Sequence, residues 1–324
     1  MDLNFKDFQD FEMDNPKIDI LLATYQGSRY IDEQISSIIE QTYQNFHLWI
    51  RDDNSSDQTG QLLNQWALAY PQKITLILSD KNLGITQNFS CLLDYAQAPY
   101  ICLADQDDKW LPHKLEWSLK KMQELEKKHG HATPLLIHSD LVVASKDLSI
   151  IHPSFWKYTR LNPHLTSLNR LLIQNNVTGC TSMINRSLVE LAKPIPENVA
   201  MHDWWLALVA SCFGVIGNIK QPTLLYRQHV SNDTGAKQNS ILNYFTQNSK
   251  EKNKKVDAAL LSYHHAEMIL ERYKLLLNEK NRNILQSYAK LRTLPYVKQK
   301  LQTLKYQFYK QGFLRFLKTF LCQY

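Results

Sequence analysis

Ile101-Cys-Leu-Ala-Asp105-Gln-Asp107-Asp108-Lys-Trp110 is the stretch that decides the fold. The apolar run from Tyr100 to Ala104 predicts a buried strand, and three carboxylates follow it without a spacer. A strand that ends in acids places them at the carboxyl edge of a sheet, where open α/β folds bind ligands. Because clustered carboxylates suit hard cations, the stretch predicts a site for Mg²⁺ or Mn²⁺. In the alternative interpretation Asp108 caps the helix that Pro112 opens, which explains one acid of the three.

Strands and helices are predicted to alternate four times in the first 104 residues, up to the strand that ends at Ala104. Buried apolar runs predict the strands, and apolar residues at helical spacing predict the helices between them. The alternation predicts an α/β protein with a mostly parallel, Rossmann-like sheet and right-handed crossovers. The strands are expected at 18–24, 46–51, 74–78 and 100–104, and the helices at 29–41, 62–68 and from the Asn82–Gly84 turn to Tyr95.

The pattern after the acidic stretch is less regular. A helix is expected from Pro112 to about Lys128. Residues 238–255 are rich in Asn, Gln, Ser and Lys and predict a linker or loop, with helices beyond it. The other expected elements are a strand at 135–138, an irregular region at 140–166, a helix at 168–174, a strand at 178–184, a helix at 204–212 and extended segments at 215–219 and 223–226.

Composition and cysteine content indicate a globular protein of a reducing compartment. With 324 residues and 44% hydrophobic residues, the chain can bury a large core. Residues 1–15 lack an apolar segment, so we expect no secretory signal. The near-apolar run at 204–219 is too short to span a bilayer. The five cysteines are odd in number and form no Cys-x-x-Cys pair, which argues against a disulfide framework or a zinc knuckle and for a cytoplasmic location.

Basic residues are concentrated at the C-terminal end of the chain. Residues 280–324 carry ten Lys or Arg and no Asp or Glu, whereas the rest carries 27 basic and 31 acidic residues. Apolar residues fall near helical spacing among these cations, which predicts a helix lying on an anionic membrane surface. The alternatives are a solvated helix face, contact with nucleic acid, or packing on the catalytic domain or a second subunit. These apolar residues are Phe308, Phe313, Phe316, Leu317, Phe320 and Leu321.

The chain carries neither a Gly-x-Gly-x-x-Gly fingerprint nor a Walker phosphate loop. If the sheet binds a nucleotide, side chains must hold the base and a metal must hold the diphosphate. Asp53 follows the second strand and can accept a hydrogen bond from the N3–H of uracil or thymine, or from ribose hydroxyls. The alternative is that Asp53 belongs to an acidic turn closed by Asx-type hydrogen bonds within residues 54–57.

Several ordered segments together resemble family-two glycosyltransferases with the GT-A fold, over roughly residues 17–235. The chain departs from the family pattern at Asn54, where a Gly is common, and at Gln87, where many members carry Arg. The segments are Ala23-Thr-Tyr-Gln-Gly-Ser28, Arg51-Asp-Asp-Asn-Ser-Ser-Asp57, Asn82-Leu-Gly84 and Ala104-Asp-Gln-Asp-Asp-Lys-Trp110. Two more, His202-Asp-Trp-Trp205 and Tyr226-Arg-Gln-His-Val-Ser-Asn232, are similar to those of bacterial rhamnosyltransferases of surface polysaccharide synthesis.

The resemblance implies a role for each matching residue. Asp203 is the expected base; Trp204 and Trp205 beside it would form an apolar wall that raises its pKa, although Asp203 as a helix N-cap is the alternative. The residues implied to bind nucleotide and donor are Thr24, Tyr25, Asp53, Asn82, Gly84, Asn88, Asp105, Gln106 and Arg227. Those implied to bind Mn²⁺ or Mg²⁺ are Asp105, Asp107 and His229, and those implied to contact the acceptor are His202, Trp204 and Trp205.

The function that the resemblance implies is metal-dependent, inverting transfer of a sugar from a nucleotide-diphosphate donor. The leading donor is dTDP-L-rhamnose, and the acceptor is a glycan or lipid-linked glycan of the bacterial cell surface. A UDP-hexose donor is the alternative within the same fold. A non-catalytic protein that binds membranes or nucleic acid is the alternative of another class. We expect a catalytic domain at 1–236, with a nucleotide part at 17–110 and an acceptor part at 111–236, followed by a linker and basic helical region at 237–324. We expect no nucleic-acid partner; the inner membrane leaflet and a homo-oligomer are compatible partners.

Overall fold

The structure, a computed structural model, describes residues 15–229, 249–312 and 315–316. Its first half is a parallel sheet in the order β3-β2-β1-β4. Residues of β1 alternate between two apolar cores, one on each face of the sheet, so the strand is buried throughout. The strands are β1 (Ile18–Thr24), β2 (Phe46–Asp52), β3 (Ile74–Ile77) and β4 (Tyr100–Ala104), and the helices are α1 (Ile31–Ile39), α2 (Thr59–Ala69) and α3 (Ile85–Tyr95). This half confirms the predicted alternation.

The second half continues the same sheet with mixed strand directions. The full order is β3-β2-β1-β4-β8-β6-β9-β5, with β7 on β6. β4 pairs antiparallel with β8, whereas β6 and β9 are parallel. The strands are β5 (Lys109–Trp110), β6 (Leu135–Ala144), β7 (Ile150–His152), β8 (Met183–Asn185) and β9 (Val215–Arg227). The helices are α4 (Lys114–His129), α5 (Phe155–Thr159), α6 (Leu168–Leu171), α7 (Arg186–Ala192) and α8 (His202–Phe213). The chain is therefore an α/β protein with one curved sheet flanked by helices.

Several predictions for this half are wrong, among them the helix expected at 168–174, which ends at Leu171, and the irregular region expected at 140–166, which contains β7 and α5. The strand expected at 135–138 extends to Ala144 as β6, although Asp140 lies in the region predicted to be irregular. Asp140 is buried because Ser154 Oγ and the Trp156 N–H donate hydrogen bonds to its carboxylate. The two extended segments at 215–226 are one continuous strand, β9, which pairs with β6 along its length.

A strand was also expected at 178–184, but its first part is a 3₁₀ turn, Gly179–Thr181, and β8 begins only at Met183. The N–H of Gly179 donates to the carboxylate of Asp203 rather than to a neighbouring strand. The backbone N–H of Gly179 is therefore satisfied by a side chain instead of by strand pairing. A hydropathy pattern does not reveal such a bond.

The C-terminal helices pack against the half of the protein that follows β4. They are α9 (Ser249–Arg272), α10 (Glu279–Ala289) and α11 (Tyr296–Lys305). Tyr273 Oη donates to the Leu191 carbonyl at 2.8 Å, and the Ala200 N–H donates to His265 Nε2 at 2.9 Å. None of the helices in the described ranges is long and apolar enough to cross a membrane.

Phe308 was predicted to face a membrane, and this is wrong because its side chain is 1% exposed. Its ring centroid lies 4.9 Å from that of Tyr288, which in turn stacks on Tyr263 at 4.7 Å. The packing of Phe308 agrees with the alternative in which the tail covers the rest of the protein. Phe316 is half-buried, with its ring centroid 4.8 Å from that of Tyr309. The remaining apolar residues of that prediction, Phe313, Leu317, Phe320 and Leu321, lie outside the described residues, as does most of the predicted linker at 238–255.

Candidate functional site

A cavity of about 550 Å³ opens at the carboxyl ends of β1, β2 and β4. This is the sheet edge at which the sequence predicted a ligand site. It is lined by all of the predicted site residues except Arg227, Trp204 and Trp205. The predicted residues in its wall are Thr24, Tyr25, Asp53, Asn82, Gly84, Asn88, Asp105, Gln106, Asp107, His202, Asp203 and His229.

Asp53 holds the loop that follows β3 against the cavity. Its carboxylate accepts hydrogen bonds from the backbone N–H of Leu83 at 2.9 Å and of Gly84 at 2.8 Å. Arg51 Nη1 adds an ion pair at 2.7 Å. Gly84 has a φ of 78°, a left-handed conformation that glycine adopts at little cost. The sequence therefore needs both the acid at 53 and the glycine at 84 to form this wall.

The buried polar residues beneath the cavity fix the ends of β1 and β2. Thr24 Oγ1 donates to Asp52 Oδ1 at 2.9 Å. Asn88, from α3, donates to the Arg51 carbonyl at 3.2 Å and accepts from Arg51 Nη1 at 2.9 Å. The side-chain-to-backbone bonds proposed as an alternative for Asp53 are made by its neighbours: Asp52 accepts from the Ser55 N–H at 2.9 Å, and Asp57 accepts from the Thr59 N–H at 3.0 Å.

Gln106 binds the backbone on both sides of Tyr25. Its Oε1 accepts from the Tyr25 N–H at 2.8 Å, and its Nε2 donates to the Tyr25 carbonyl at 2.9 Å. The same side chain passes so close to Gly27 that a Cβ there would lie 2.3 Å from Oε1. Gln106 therefore joins the acidic loop after β4 to the loop after β1, while the Tyr25 ring remains exposed at the cavity.

Asp107 and His229 meet across the cavity wall. His229 Nε2 lies 2.7 Å from Asp107 Oδ2, and the Tyr30 ring packs 4.8 Å from the imidazole. Asp105 lines the same wall. Two carboxylates and an imidazole are ligands that Mn²⁺ or Mg²⁺ accepts. Asp107 and His229 are thus in contact and Asp105 lines the same cavity, whereas the described ligand atoms that lie within 4.8 Å of one another are those of Asp105, Asp108 and Cys180.

Arg227 lies behind this wall and not in it. It is 3% exposed, and its Nε donates to the carbonyl oxygen of Asp107 at 2.8 Å. The guanidinium also pairs with Glu33 and lies 4.6 Å from the Tyr30 ring centroid. The predicted donor contact is not supported, because these partners occupy the guanidinium. Arg227 instead positions the loop that carries Asp107.

Asp108 is not a helix cap, because the N-cap residue of α4 is His113 and makes no side-chain capping bond. Asp108 is fully buried, and its side chain lies close to Asp105 and Cys180, with ligand atoms within 4.8 Å of one another. Burial, followed by the charges of Asp107 and Asp105, raises its pKa well above the usual range. The acidic stretch therefore has two parts: Asp105 and Asp107 at the cavity and Asp108 in the core.

Cys180 was not predicted to lie near the acidic stretch. Burial raises the pKa of its thiol well above the usual value, which makes it a weak metal ligand. Lys114, another buried residue that the sequence did not single out, lies in the same region, with its Nζ 4.7 Å from the Trp110 ring centroid, and burial lowers the pKa of its amine. No sequence signal connects these positions, because three separate segments bring them together.

Asp203 lies in the first turn of α8 and faces the cavity. Its Oδ1 accepts from Asn175 Nδ2 at 3.1 Å and its Oδ2 accepts from the Gly179 N–H at 2.9 Å. Burial raises the pKa of Asp203 to about 6, in the direction expected from its apolar surroundings. The N-cap position belongs to Met201, so Asp203 is not the cap.

His202 is buried next to Asp203, and its ring stacks on Phe89 with centroids 3.9 Å apart. Neither ring nitrogen has a hydrogen-bond partner within the described part of the chain. Burial lowers the pKa of His202 to about 3, so the ring is neutral near pH 7. A Cβ on Gly179 would lie 2.9 Å from Nε2 of this ring. The cavity wall therefore contains an imidazole with unused hydrogen-bonding capacity.

The two tryptophans after Asp203 are directed away from the cavity. Trp205 is fully buried in the core, and its Nε1 donates to the Ala192 carbonyl at 3.0 Å. Trp204 is partly buried, and its Nε1 donates to the Leu171 carbonyl at 2.7 Å. This placement does not support the predicted acceptor contacts. Both side chains instead anchor α8, and so hold Asp203 in place.

Comparison with known proteins identifies relatives of the chain. The sequence profile described as "Glycosyl transferase family 2" matches residues 19–191. The dTDP-rhamnosyl transferase RfbG of Shigella flexneri is 30% identical over 227 residues, which cover 66% of this chain and 74% of that protein. The UDP-Glc:alpha-D-GlcNAc-diphosphoundecaprenol beta-1,3-glucosyltransferase WfgD of Escherichia coli is 31% identical over 110 residues, which cover 34% of this chain and 42% of that protein.

Solved structures share the fold at low sequence identity. Mannosyltransferase PcManGT from Pyrobaculum calidifontis, in complex with GDP-Man and Mn²⁺, has a TM-score of 0.55 at 15% identity, covering 93% of this chain and 77% of that one. S. aureus TarS 1-349 in complex with UDP-GlcNAc has a TM-score of 0.54 at 15% identity, covering 88% of this chain and 83% of that one. The similarity confirms the predicted GT-A architecture.

Proposed function

This chain belongs to glycosyl transferase family 2, and we propose that it transfers L-rhamnose, with inversion, from dTDP-L-rhamnose to a glycan or lipid-linked glycan of the bacterial cell surface. The observation that carries the proposal is that one cavity is lined both by the Asp105 and Asp107 carboxylates and by a base candidate, Asp203. The identity to a dTDP-rhamnosyl transferase supports the choice of donor.

The nucleotide is assigned to the end of the cavity formed by the loops after β1, β2 and β3. A carboxylate has about four acceptor sites, and Arg51, Leu83 and Gly84 already donate to Asp53. The Leu83 N–H contacts both carboxylate oxygens, so these donors already make four contacts, and Asp53 is assigned the role of holding the loop that forms this end of the cavity. Thr24, Tyr25, Asn82, Gly84, Asn88 and Gln106 complete this part of the proposed donor site.

Asp105, Asp107 and His229 are the residues that would hold Mn²⁺ or Mg²⁺. The bound cation would stabilise the negative charge that accumulates on the departing diphosphate. Arg227 contributes by holding the Asp107 backbone from behind the wall. The fit of two carboxylates and an imidazole supports this assignment over Asp108 and Cys180, whose buried environment favours their protonated forms.

Asp203 is assigned the role of base. It would take the proton from the acceptor hydroxyl while that oxygen forms a bond to the anomeric carbon and the bond to the diphosphate breaks. The raised pKa leaves Asp203 ionised near pH 7 and still a useful proton acceptor. His202 lines the cavity next to Asp203 and is assigned to the acceptor side of the site.

The experiment that tests this function measures dTDP or UDP released by the purified full-length chain from dTDP-L-rhamnose and UDP-hexoses, with and without Mn²⁺. Metal-dependent release from dTDP-L-rhamnose supports the proposal. Metal-dependent release of UDP from a UDP-hexose, without release from dTDP-L-rhamnose, would favour the second candidate function, transfer from a UDP-hexose. The similarity to the E. coli glucosyltransferase supports this second candidate. The absence of binding and turnover with every donor would favour a non-catalytic role.

A further inference from the structure

Helix α11 exposes its apolar residues to solvent, whereas the residues that it buries against the protein are polar. Val297, Leu301 and Leu304 are 69%, 62% and 47% exposed, whereas Gln299 and Thr303 are buried. The exposed positions follow the spacing i, i+4, i+7, which places them on one side of a helix. In an ordinary surface helix the apolar side chains face the core and the polar ones face solvent. We define Tyr296, Val297, Leu301 and Leu304 as the outer face of α11.

Polar contacts hold the inner side of α11 in place. Gln299 Nε2 donates to the Leu291 carbonyl at 3.3 Å. Thr303 is 4% exposed, and its carbonyl accepts from the N–H of Phe308 at 2.9 Å. Because Phe308 belongs to the aromatic core, this contact ties the end of α11 to the folded body. The helix is therefore oriented by its polar residues, and the exposure of its apolar side is a feature of the fold.

The charge around the outer face is strongly positive. Lys298 and Lys305 are exposed on α11 itself, and Lys290 and Arg292 are exposed just before it. No acidic residue occurs between 280 and 324. A partner for this surface must therefore combine an apolar layer with negative charge. An anionic lipid bilayer has both, since its acyl boundary takes apolar side chains and its phosphates attract Lys and Arg.

We propose that the outer face of α11 docks on an anionic membrane, with Val297, Leu301 and Leu304 at the acyl boundary and Lys298 and Lys305 near lipid phosphates. A nucleic acid would pair with the lysines but would leave the three aliphatic side chains in water. A second copy of the chain docked through the same face would bring like charges together. The bilayer is the occupant that satisfies both the apolar and the charged residues.

The test uses the full-length chain without any sugar donor, so that its outcome is independent of catalysis. Binding is measured by sedimentation with phosphatidylcholine vesicles that contain or lack phosphatidylglycerol, at low and high salt. The test variant is Val297→Ser, Leu301→Ser and Leu304→Ser combined. The matched control is Leu68→Ser, Leu78→Ser and Ile150→Ser combined, because these apolar side chains are equally exposed outside the C-terminal region.

The proposal predicts salt-sensitive binding to vesicles with phosphatidylglycerol, a loss of roughly ten-fold or more in the partition coefficient for the α11 variant, and no change for the control. Thermal melting should show that both variants fold. The proposal is overturned if the wild-type chain does not bind these vesicles, or if the α11 variant binds them as well as the wild type. It is also overturned if sedimentation without vesicles shows a dimer that only the α11 variant loses, since the face would then pair with a second copy.

Discussion

The backbone N–H of Gly179 donates a 2.9 Å hydrogen bond to Oδ2 of Asp203. The next residue of the same 3₁₀ turn, Cys180, lies beside Asp105 and Asp108. One short turn therefore contacts both the acidic stretch after β4 and the carboxylate proposed to deprotonate the acceptor. The turn therefore helps to fix the distance between the acidic stretch and Asp203.

Gly179→Ala should reduce transfer without preventing folding. The added Cβ would lie 2.9 Å from His202 Nε2 and 3.3 Å from Asp203 Cβ, so the side chains beside the acceptor must shift. We expect kcat to fall by roughly a hundred-fold, as small misplacements of reacting groups do, with little change in donor Kd. Gly60→Ala is the matched control, because nothing lies within 4 Å of a Cβ there. A kcat equal to that of the wild type would show that the turn has room to adjust.

The pH dependence of transfer should follow Asp203. Since burial raises its pKa to about 6, kcat should increase as the pH rises through about 6 and then level off as the carboxylate becomes ionised. The measurement is kcat at saturating donor from pH 5 to pH 8, under conditions in which the chain remains folded. A profile without a step in this range would contradict the assignment of Asp203 as the base.

The same pKa also affects stability. The folded-state pKa of Asp203 is raised above the unfolded value of about 3.9, so its protonated form stabilises the fold fully below that value. This contribution, about 3 kcal/mol, should be lost as the pH rises through about 6. Asp203→Asn removes the titration and should flatten this part of the stability curve, measured by urea unfolding. An identical pH slope in both proteins would contradict the prediction.

Gln106→Ala should weaken donor binding. The substitution removes both hydrogen bonds to the Tyr25 backbone, at 2.8 and 2.9 Å, and frees the loop after β1 that lines the cavity. We expect donor Kd to increase by roughly ten-fold, since two hydrogen bonds of about 1 kcal/mol each are lost. Calorimetry with the nucleoside diphosphate measures it, with the exposed Gln61→Ala as control. Unchanged affinity would show that Gln106 is not needed to shape the site.

Asp107→Ala should abolish the effect of Mn²⁺ on donor binding. Asp107 is a proposed metal ligand in contact with His229, and its side chain follows a strand whose own residues remain buried. The melting temperature should therefore change little. Asp147→Ala, in an exposed turn, is the control. Wild-type turnover in excess chelator, or Mn²⁺ dependence retained by Asp107→Ala, would contradict the metal assignment.

The part of the fold that was predictable is the part in which apolar runs are buried whole. β1 and β4 are such runs, whereas β2 alternates between buried and half-buried residues before its buried end; the polar ends of the three strands converge at one sheet edge. β6 was predicted too short because a charged residue at position 140 indicates exposure. Asp140 is buried instead, since Ser154 and Trp156, which lie 14 and 16 residues further along the chain, donate hydrogen bonds to its carboxylate. Hydropathy contains no information about such partners.

The site was predicted in its location but not in every role. The apolar pattern of α8 indicates a helix, yet it does not say which residues face the cavity; Asp203 does, and Trp205 does not. Arg227 was expected to bind the nucleotide or donor, but Glu33 and two backbone carbonyls from other segments occupy its guanidinium. Which partners a guanidinium binds depends on the tertiary structure, and the sequence pattern alone does not indicate them.

The most direct test of the account compares sugar transfer by the wild-type chain and by Asp203→Asn, with dTDP-L-rhamnose, Mn²⁺ and a glycan acceptor. Donor binding is measured in parallel by calorimetry. Because the substitution removes the base and keeps the shape of the side chain, transfer should fall by roughly 10²–10⁴-fold while the donor Kd stays the same. Equal transfer rates in the two proteins would contradict the proposed mechanism, and an absence of donor binding in both would contradict the proposed donor.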